Sequence, residues 1–346
     1  MSRALACSLL ATLAACGDDG SSATIDSGRI DSPDIDAADT DCDYTEQSDP
    51  ANDTSSTGGV TETTGLTFSS RTVICGTIDH THFDGDITID GDSFTLSLAA
   101  EADVVVRFVG PGAELLELVG VDVNVGGNFA GGIVFYGNHG VTSVHLPAGE
   151  FELLALSLGS QAIVSSVPYR IEVTIDTPDT RCPEVTSGGY MEADDTGTNT
   201  GNDVFSYPMG SPVTFTAAND AAETTNIVLA PDLNIRFHGE AANVTAADRY
   251  EDRDTYEIAT GLGTNELTVR LTWPTAGANL DWFLYEKNTV STPPSVGSGI
   301  SSAALTEMKL TAIKPNTTYW LTVVAKVGTT VPATYNATLC AAQYTP

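Results

Sequence analysis

The densest group of side chains that could bind a metal lies between residues 79 and 92, in the stretch DHTHFDGDITIDGD. Carboxylate oxygens are the ligands that calcium prefers, and an H-x-H pair suits zinc or copper. For a metal site we expect calcium before a transition metal, with four candidate ligands: Asp84, Asp86, Asp90 and Asp92. The spacing is not that of an EF-hand loop. We therefore favour a turn in which aspartate side chains bond to backbone amides, with the calcium site as the alternative.

Two of these aspartates recur later in the chain. The pair Asp90 and Asp92 is matched by Asp252 and Asp254, and an aromatic residue stands two positions after each pair. Recurrence within one chain favours a structural role over two active sites. We therefore predict that Asp252 and Asp254 cap a turn where a strand begins.

The sequence shows no arrangement of residues for nucleophilic catalysis. A nucleophile needs a base within hydrogen-bond reach, and the base needs a group that orients it. The chain has five histidines but neither a G-x-S-x-G nor an H-E-x-x-H motif. Its 46 acidic residues guarantee accidental carboxylate pairs, so such a pair does not by itself indicate a glycosidase. We expect no enzymatic activity.

Tryptophans are the remaining candidates for recognition, since exposed aromatic side chains bind sugars and proteins. Trp282 and Trp320 lie in alternating, strand-like stretches, which indicates core positions. Trp273 stands beside Pro274 at the end of a predicted strand. We therefore predict that Trp273 lies on the surface and binds a ligand.

The segments that carry these residues alternate apolar and polar side chains. Phe94, Leu96 and Leu98 share one face of such a segment, with Thr95 and Ser97 on the other. Period-two alternation, β-branched residues and turns rich in Gly, Pro, Asn and Asp predict strands and almost no helix. We expect an all-β fold with two tandem antiparallel β-sandwiches of the jelly-roll or immunoglobulin-like kind.

Two copies of one unit account for this pattern. The stretch DGDSFTLSLAAEADVVVRF at 90–108 matches DRDTYEIATGLGTNELTVRL at 252–271. Two further pairs of blocks follow in the same order, 146–158 with 313–327 and 168–175 with 333–340. Such an internal repeat indicates tandem copies. We predict one β-sandwich domain at 42–181 and a second at 182–346.

These blocks resemble the bacterial pre-peptidase C-terminal domain. The matching features are D-x-D-x-[FY], at Asp90 to Phe94 and at Asp252 to Tyr256, the stretch NLDWFLYE at 279–286, and a final strand led by tyrosine. The resemblance covers roughly residues 71–177 and 235–341, and the first copy has a glycine-rich stretch in place of NLDWFLYE. The resemblance implies a β-sandwich and an accessory, non-catalytic role in secretion, stability or substrate binding.

The N-terminus predicts export and a lipid anchor. Arg3 precedes the short apolar run ALACSLLATLAA, which is the layout of a secretory signal. The tetrad Leu13-Ala14-Ala15-Cys16 resembles a bacterial lipobox. This resemblance implies that residues 1–15 are a lipoprotein signal peptide and that Cys16 is the lipid attachment site, with acyl chains such as palmitate as the membrane anchor. The alternative is an ordinary secreted protein.

An acidic tether follows at 16–41. It is rich in Asp, Ser, Gly and Ala and has no aromatic residue, so it cannot bury enough apolar surface to offset its ordering entropy. We predict a disordered linker. The residue after the lipidated cysteine is Gly17 and not aspartate. In this respect the chain resembles the lipoproteins that are sorted to the outer membrane. We therefore expect a bacterial cell-envelope lipoprotein at the outer membrane, facing the periplasm or the cell exterior.

Four cysteines remain once Cys7 leaves with the signal peptide and Cys16 is acylated. An even number of cysteines in an exported chain predicts disulfides, with three connectivities open. Their placement favours one bridge in each predicted domain, Cys42–Cys75 and Cys182–Cys340. A zinc site is the alternative, but the chain has no C-x-x-C pair.

Charge narrows the class of partner. With 14 basic and 46 acidic side chains the net charge is −32, which repels phosphate backbones, so we expect no nucleic acid partner. We predict a lipid-anchored envelope protein that acts as a non-catalytic binding or interaction module for an unidentified protein or glycan, without a cofactor. Two alternatives stay open: a calcium-stabilised adhesive surface protein, and an accessory subunit of a secreted hydrolase.

Overall fold

The computed structural model describes residues 41–47, 61–78, 82–83, 87–88, 91–110, 119–136, 139–157, 167–192, 205–206, 214–215, 222–241, 250–287, 295–299, 305–326 and 329–345. These residues lie almost wholly in β-strands, which confirms the all-β prediction. The helix found in these ranges, α1, is a single turn at Pro178–Arg181. The predicted signal peptide, Cys16 and the tether up to residue 40 lie outside the described residues.

The strands of the first half of the chain are β1 (Tyr44–Thr45), β2 (Glu62–Phe68), β3 (Arg71–Ile78), β4 (His82–Phe83), β5 (Ile87–Thr88), β6 (Gly91–Leu98), β7 (Ala102–Val109), β8 (Val119–Val125), β9 (Asn128–Gly132), β10 (Val134–Tyr136), β11 (His139–Leu146), β12 (Gly149–Ser157) and β13 (Val167–Ile175). Those of the second half are β14 (Tyr190–Met191), β15 (Phe205–Ser206), β16 (Thr214–Phe215), β17 (Glu223–Leu229), β18 (Asn234–Ala241), β19 (Tyr250–Thr260), β20 (Glu266–Thr272), β21 (Leu280–Glu286), β22 (Ser295–Gly299), β23 (Thr306–Ala312), β24 (Thr318–Lys326) and β25 (Ala333–Ala342).

The first half forms two layers around one core. One layer has the strand order β2-β6-β12-β8-β9, and the other has β1-β3-β13-β7-β11, with β10 also paired to β11. Phe94, Val106 and Ile171 come from three strands of these two layers and share one hydrophobic cluster. The alternation seen in the sequence therefore directs one face of each layer into a common interior, as in a β-sandwich.

The second half repeats the order of these two layers, without a counterpart of β10 among its described strands. Its layers have the orders β17-β19-β24-β21-β22 and β14-β18-β25-β20-β23, and its cluster includes Tyr256, Val269 and Leu339. Most neighbouring strands are antiparallel, as expected. Four pairings among the described strands are parallel: β1–β3, β2–β6, β14–β18 and β17–β19. Each of these joins an edge strand to its layer, because β1, β2, β14 and β17 end their strand orders.

A seam between β11 and β23 joins the halves. These strands pair in antiparallel fashion, with Thr142 opposite Thr311, so one eleven-stranded sheet runs through both halves. The two strands hold equivalent places in their layers. Antiparallel pairing of equivalent edges is what a two-fold axis produces, so the halves are related by an approximate two-fold axis at the seam. Because the sheet is continuous, the domain boundary at 181 and 182 stays a prediction.

The repeat also includes β2 and β17, whose sequences ETTGLTF and ETTNIVL share only their first three residues. In each strand the second threonine, Thr64 or Thr225, donates its hydroxyl to a main-chain carbonyl of the neighbouring strand. The next residue, Gly65 or Asn226, has a positive φ of 69° or 57°. Glycine and asparagine tolerate this conformation best, so both copies keep the same bulge with different residues.

Candidate functional site

Each half contains a buried aspartate that accepts a hydrogen bond from a tyrosine. Tyr169 Oη donates to Asp92 Oδ2 at 2.7 Å, and Tyr335 Oη donates to Asp254 Oδ2 at 2.5 Å. Both aspartates are at most 1% exposed. Asp92 lies in β6 and Tyr169 in β13, so the bond crosses the core from one layer to the other. Asp254 in β19 and Tyr335 in β25 repeat this arrangement in the second half.

The prediction that Asp254 caps a turn is wrong. The residue lies inside β19 with its carboxylate directed into the core, where the tyrosine hydroxyl replaces the water that a charged oxygen requires. Asp252 lies in the same strand, and its side chain is outside the described part of the structure. The recurrence of the aspartates does reflect a structural role, but that role is a bond between layers.

The calcium prediction concerns residues that the structure describes only in part. Asp84, Asp86 and Asp90 lie outside the described residues. Asp92 lies in the core bonded to Tyr169, instead of in a solvent-facing turn. Within the described ranges, no group of three or more His, Cys, Asp or Glu side chains could hold a metal ion. The calcium site and the adhesive alternative that depends on it stay predictions.

A glycine lies beneath each core tyrosine. A Cβ atom placed on Gly76 would lie 2.3 Å from Tyr169 Oη, and one placed on Gly239 would lie 2.4 Å from Tyr335 Oη. Any larger residue would therefore displace the hydroxyl from its aspartate. The repeated unit is an aspartate, a tyrosine and a glycine from three strands, and the sequence reading found the aspartates without their partners.

The second half adds a further hydroxyl to this unit. Tyr256 Oη lies 2.6 Å from Tyr335 Oη, whereas Phe94 holds the equivalent place in the first half. Burial raises the pKa of both Tyr256 and Tyr335 well above the ordinary value, and the charge of Asp254 raises each further. Both hydroxyls therefore stay protonated, so they serve as hydrogen-bond donors and not as bases.

Removing these hydroxyls is expected to destabilise the two halves unequally. Tyr169→Phe removes the bond to Asp92 and is expected to lower the free energy of unfolding by about 2 kcal/mol. Tyr335→Phe removes bonds to both Asp254 and Tyr256, with an expected loss of about 3 kcal/mol. Urea unfolding measures both values. Tyr256→Phe, which copies the first half, is the control, with an expected loss below about 1 kcal/mol. Equal losses for all three variants would contradict this assignment.

Trp273 is not a surface residue. It is 2% exposed, and its indole Nε1 donates to the carbonyl of Ala278 at 3.1 Å. The prediction is wrong because the turn after β20 returns the chain over the core, which gives the indole N–H a partner inside. Trp282 is fully buried, as predicted. Trp320 is 8% exposed and packs with Tyr285 in a separate small cluster.

Both predicted disulfides are present. Cys42 is bonded to Cys75, with 5.9 Å between the Cα atoms, and Cys182 to Cys340, with 5.5 Å. Cys42 stands just before β1 and Cys182 just after α1, whereas Cys75 and Cys340 lie in β3 and β25. Each bridge therefore joins the segment that leads into one half to a strand of the eleven-stranded sheet.

The seam buries a salt bridge that the sequence reading did not identify. Arg107 from the first half donates to Glu266 from the second through two bonds, Nε to Oε1 at 2.8 Å and Nη2 to Oε2 at 3.1 Å. The ring of Tyr344 lies 4.9 Å from the guanidinium carbon. His139 is 1% exposed, and its ring is 5.1 Å from that of Tyr344. Arg107 matches Arg270 in the repeat, but the sequence carries no sign of the partner.

Falling pH is expected to destabilise the protein through His139. Burial lowers the pKa of this ring; the charge of Glu266 opposes the shift, and Arg107 adds to it. The folded ring thus binds a proton less readily than the unfolded one. The stability that the neutral ring contributes is present above the unfolded pKa of about 6.5 and is lost as the pH falls below it.

His139→Phe is expected to remove the loss of stability at low pH. Measuring the free energy of unfolding of wild type and variant between about pH 5 and pH 8 tests this expectation. His145→Asn is the control with the opposite sign. The hydrogen bond to Asp103 raises the pKa of His145, so its contribution is present below about 6.5 and is lost as the pH rises through the raised value. A wild-type-like slope in His139→Phe would contradict the assignment.

A groove of about 400 Å³ runs along the seam. Ala130 of β9 and Ser298 and Gly299 of β22 line it from the two five-stranded layers, and Glu307 and Lys309 line it from β23. A smaller hollow of about 260 Å³ adjoins the seam beside α1. Sequence reading did not find this groove, because it exists only where the two halves meet.

Lys309 is the distinctive residue of the groove. Its ammonium forms no hydrogen bond or ion pair within the described part of the chain. Burial lowers the pKa of this amine from its ordinary value. Most other described lysines and arginines lie against carboxylates, such as Arg181 against Asp176 at 2.8 Å. A half-buried cation without a counterion is costly, which makes the groove a candidate binding site.

Comparison with known proteins gives limited likenesses. No protein-family model and no curated protein sequence matches the chain. The pre-peptidase C-terminal domain of collagenase from Bacillus anthracis is 14% identical, matched over 35% of this chain and 99% of that one, with a TM-score of 0.25. The CUB1-EGF-CUB2 region of human MASP-1/3 is 10% identical over 78% of this chain and 99% of that one, with a TM-score of 0.19. These scores support no argument about function.

Within the described ranges no helix is long and apolar enough to cross a membrane.

Proposed function

We propose that this chain is an exported lipoprotein of the bacterial cell envelope and that its folded part is a non-catalytic binding module. The observation that carries the proposal is the pair of disulfides, Cys42–Cys75 and Cys182–Cys340. Such bonds persist in oxidising compartments outside the cytoplasm, and cytosolic thiols would reduce them. They therefore agree with the signal peptide proposed at residues 1–15.

The anchor in this proposal is a lipid on Cys16. The short apolar run before it and the tetrad Leu13-Ala14-Ala15-Cys16 support acylation of this thiol. Several acyl chains hold a protein on a membrane far more firmly than one, since each buried methylene contributes about 0.8 kcal/mol. Gly17 supports sorting to the outer membrane. The acidic segment at 16–41 then serves as a tether between the anchor and the folded part.

The buried polar groups favour binding over catalysis, because they are bonded to one another inside the core. Asp92 and Asp254 are closed to solvent and bonded to tyrosines across the core, so a substrate does not reach them. The groove at the seam offers hydroxyl groups, a lysine and a glutamate on β-strands. This is a surface for recognition, and it agrees with the accessory role that the resemblance to the pre-peptidase C-terminal domain implies.

Mass spectrometry of the full chain expressed in a Gram-negative host tests the proposal. We expect the N-terminal peptide to begin at Cys16 and to carry diacylglyceryl and acyl groups, with the protein in the outer-membrane fraction. Cys16→Ala should lose both the modification and the membrane association, and Cys7→Ala should lose neither. An unmodified peptide that begins elsewhere, or free thiols at the four later cysteines, would overturn export and anchoring.

A further inference from the structure

We propose that the groove at the seam binds an extended polypeptide segment, which adds as a β-strand between β9 and β22 and places a carboxylate side chain against Lys309. This inference rests on the proposed function as a binding module, and it names the class of partner. Strand addition of this kind obtains affinity from main-chain hydrogen bonds and specificity from side-chain contacts.

The first support is a mismatch between the two layers at the seam. The eleven-stranded sheet crosses from one half to the other through β11 and β23. In the other layer the strands that occupy the corresponding edges are β9 and β22, and they end their sheets without pairing to each other in the described part of the chain. The edge of a sheet presents unpaired N–H and C=O groups that pair readily with another strand.

The second support is that both edges line the same groove. Ala130 belongs to β9, and Ser298 and Gly299 belong to β22. Ala130 and Ser298 have small side chains, which leave the backbone open to approach at these two positions, whereas Gly299 is buried. Neighbouring strands lie about 4.8 Å apart, and one strand inserted between two edges bonds to both. A volume of about 400 Å³ lies within the usual range of ligand-binding pockets, roughly 300–1,000 Å³.

The third support is the charge in the floor of the groove. Lys309 has no counterion within the described residues, and Glu307 lies two positions before it on the same strand. A carboxylate on the incoming segment would neutralise the lysine through a charge-assisted hydrogen bond. The net charge of −32 repels a segment that is acidic throughout. The segment expected here therefore carries one carboxylate among neutral or basic residues.

The approximate two-fold axis explains why one lysine matters. The axis makes β9 and β22 equivalent, so main-chain bonding alone would accept a strand in either direction. Thr142 holds the place in β11 that Lys309 holds in β23, because they lie opposite the equivalent residues Val106 and Val269. The lysine is thus present on one side of the axis only, and it would select one direction for the bound segment.

Fluorescence anisotropy with the full-length protein tests this inference. The probe is a labelled library of peptides of about six residues, the usual strand length, built from Thr, Val, Ser, Lys and Glu. We expect members with one glutamate to bind. Replacing that glutamate by glutamine, or placing a proline at the centre, should weaken binding at least about tenfold, because glutamine lacks the negative charge that strengthens the bond to the lysine and proline lacks a main-chain N–H. Failure of every library member to bind would overturn the inference.

Variants of the protein assign the site. Lys309→Met keeps the length of the side chain and removes its charge, so it should weaken the glutamate peptides about tenfold and leave the glutamine peptides unchanged. Lys326→Met, which removes a lysine that does not line the groove, should leave both unchanged. Hydrogen exchange of the complex should show new protection in β9 and β22. Protection elsewhere, or full affinity in Lys309→Met, would overturn the assignment.

A second ligand separates failure of this inference from failure of the proposed function. Oligosaccharides of galacturonate present carboxylates without a peptide backbone. Binding of these sugars that is lost in Lys309→Met, together with no binding of peptides, would retain a binding module and overturn the polypeptide partner. Lipidation at Cys16 is measured separately, so the anchor can be confirmed or contradicted whatever the groove binds.

Discussion

Removal of the Cys182–Cys340 disulfide is expected to lower the free energy of unfolding by about 5 kcal/mol, the largest single effect that we predict. The bond closes a loop with a sequence separation of 158, and a cross-link restricts the unfolded chain more as its loop lengthens. The variant carries Cys182→Ala and Cys340→Ala together, so that no free thiol remains. Urea unfolding at a fixed pH measures the loss.

The Cys42–Cys75 bond is the matched comparison. It closes a loop with a sequence separation of 33, for which the same chain-entropy relation gives about 4 kcal/mol. Removing the Cys182–Cys340 bond should therefore lower the free energy of unfolding more than removing the Cys42–Cys75 bond. A larger loss for Cys42→Ala with Cys75→Ala would show that loop length does not govern the stability of this fold.

Replacing Arg107 by methionine is expected to cost about 3–5 kcal/mol, because Glu266 would remain buried without its partner. The two side chains are 16% and 4% exposed, so neither is well hydrated. Adding Glu266→Leu to the variant should recover most of the loss, since removing both charges also removes the desolvation penalty. A double-mutant cycle by urea unfolding measures the coupling.

The control for this cycle is the pair Arg71 and Glu172. Their atoms are 3.2 Å apart, but the arginine is 45% exposed, and such pairs contribute about 1 kcal/mol or less. Arg71→Met should therefore be nearly neutral. If Arg107→Met were equally mild, the seam would not depend on its salt bridge.

The features that could be predicted from the sequence are those that depend on residues close together in the chain. The alternation of Phe94, Leu96 and Leu98 with polar residues predicts a strand whatever its neighbours are. The disulfide pairing followed from where the cysteines stand in each repeat. The match between ETTGLTF and ETTNIVL is too short to indicate a repeat by itself, and it stands apart from the three longer blocks.

The features that could not be predicted depend on which strands meet. The aspartate of D-x-D-x-[FY] and the tyrosine of the last strand were both noticed, yet their bond crosses the core between layers, and sequence spacing says nothing about that contact. Trp273 was misplaced because a residue beside proline reads as a strand end. The path of the turn that buries it depends on Ala278, five residues later. The groove likewise required knowledge that β11 pairs with β23.

The approximate two-fold axis at the seam also affects how the sequence of such a chain can evolve. In a dimer of identical subunits, every substitution appears twice, once on each side of the axis. When the two subunits belong to one chain, each position can vary alone. The pairs Lys309 and Thr142, and Tyr256 and Phe94, hold equivalent places and already differ. The chain keeps the geometry of a symmetric pair while its two sides are free to take on separate tasks.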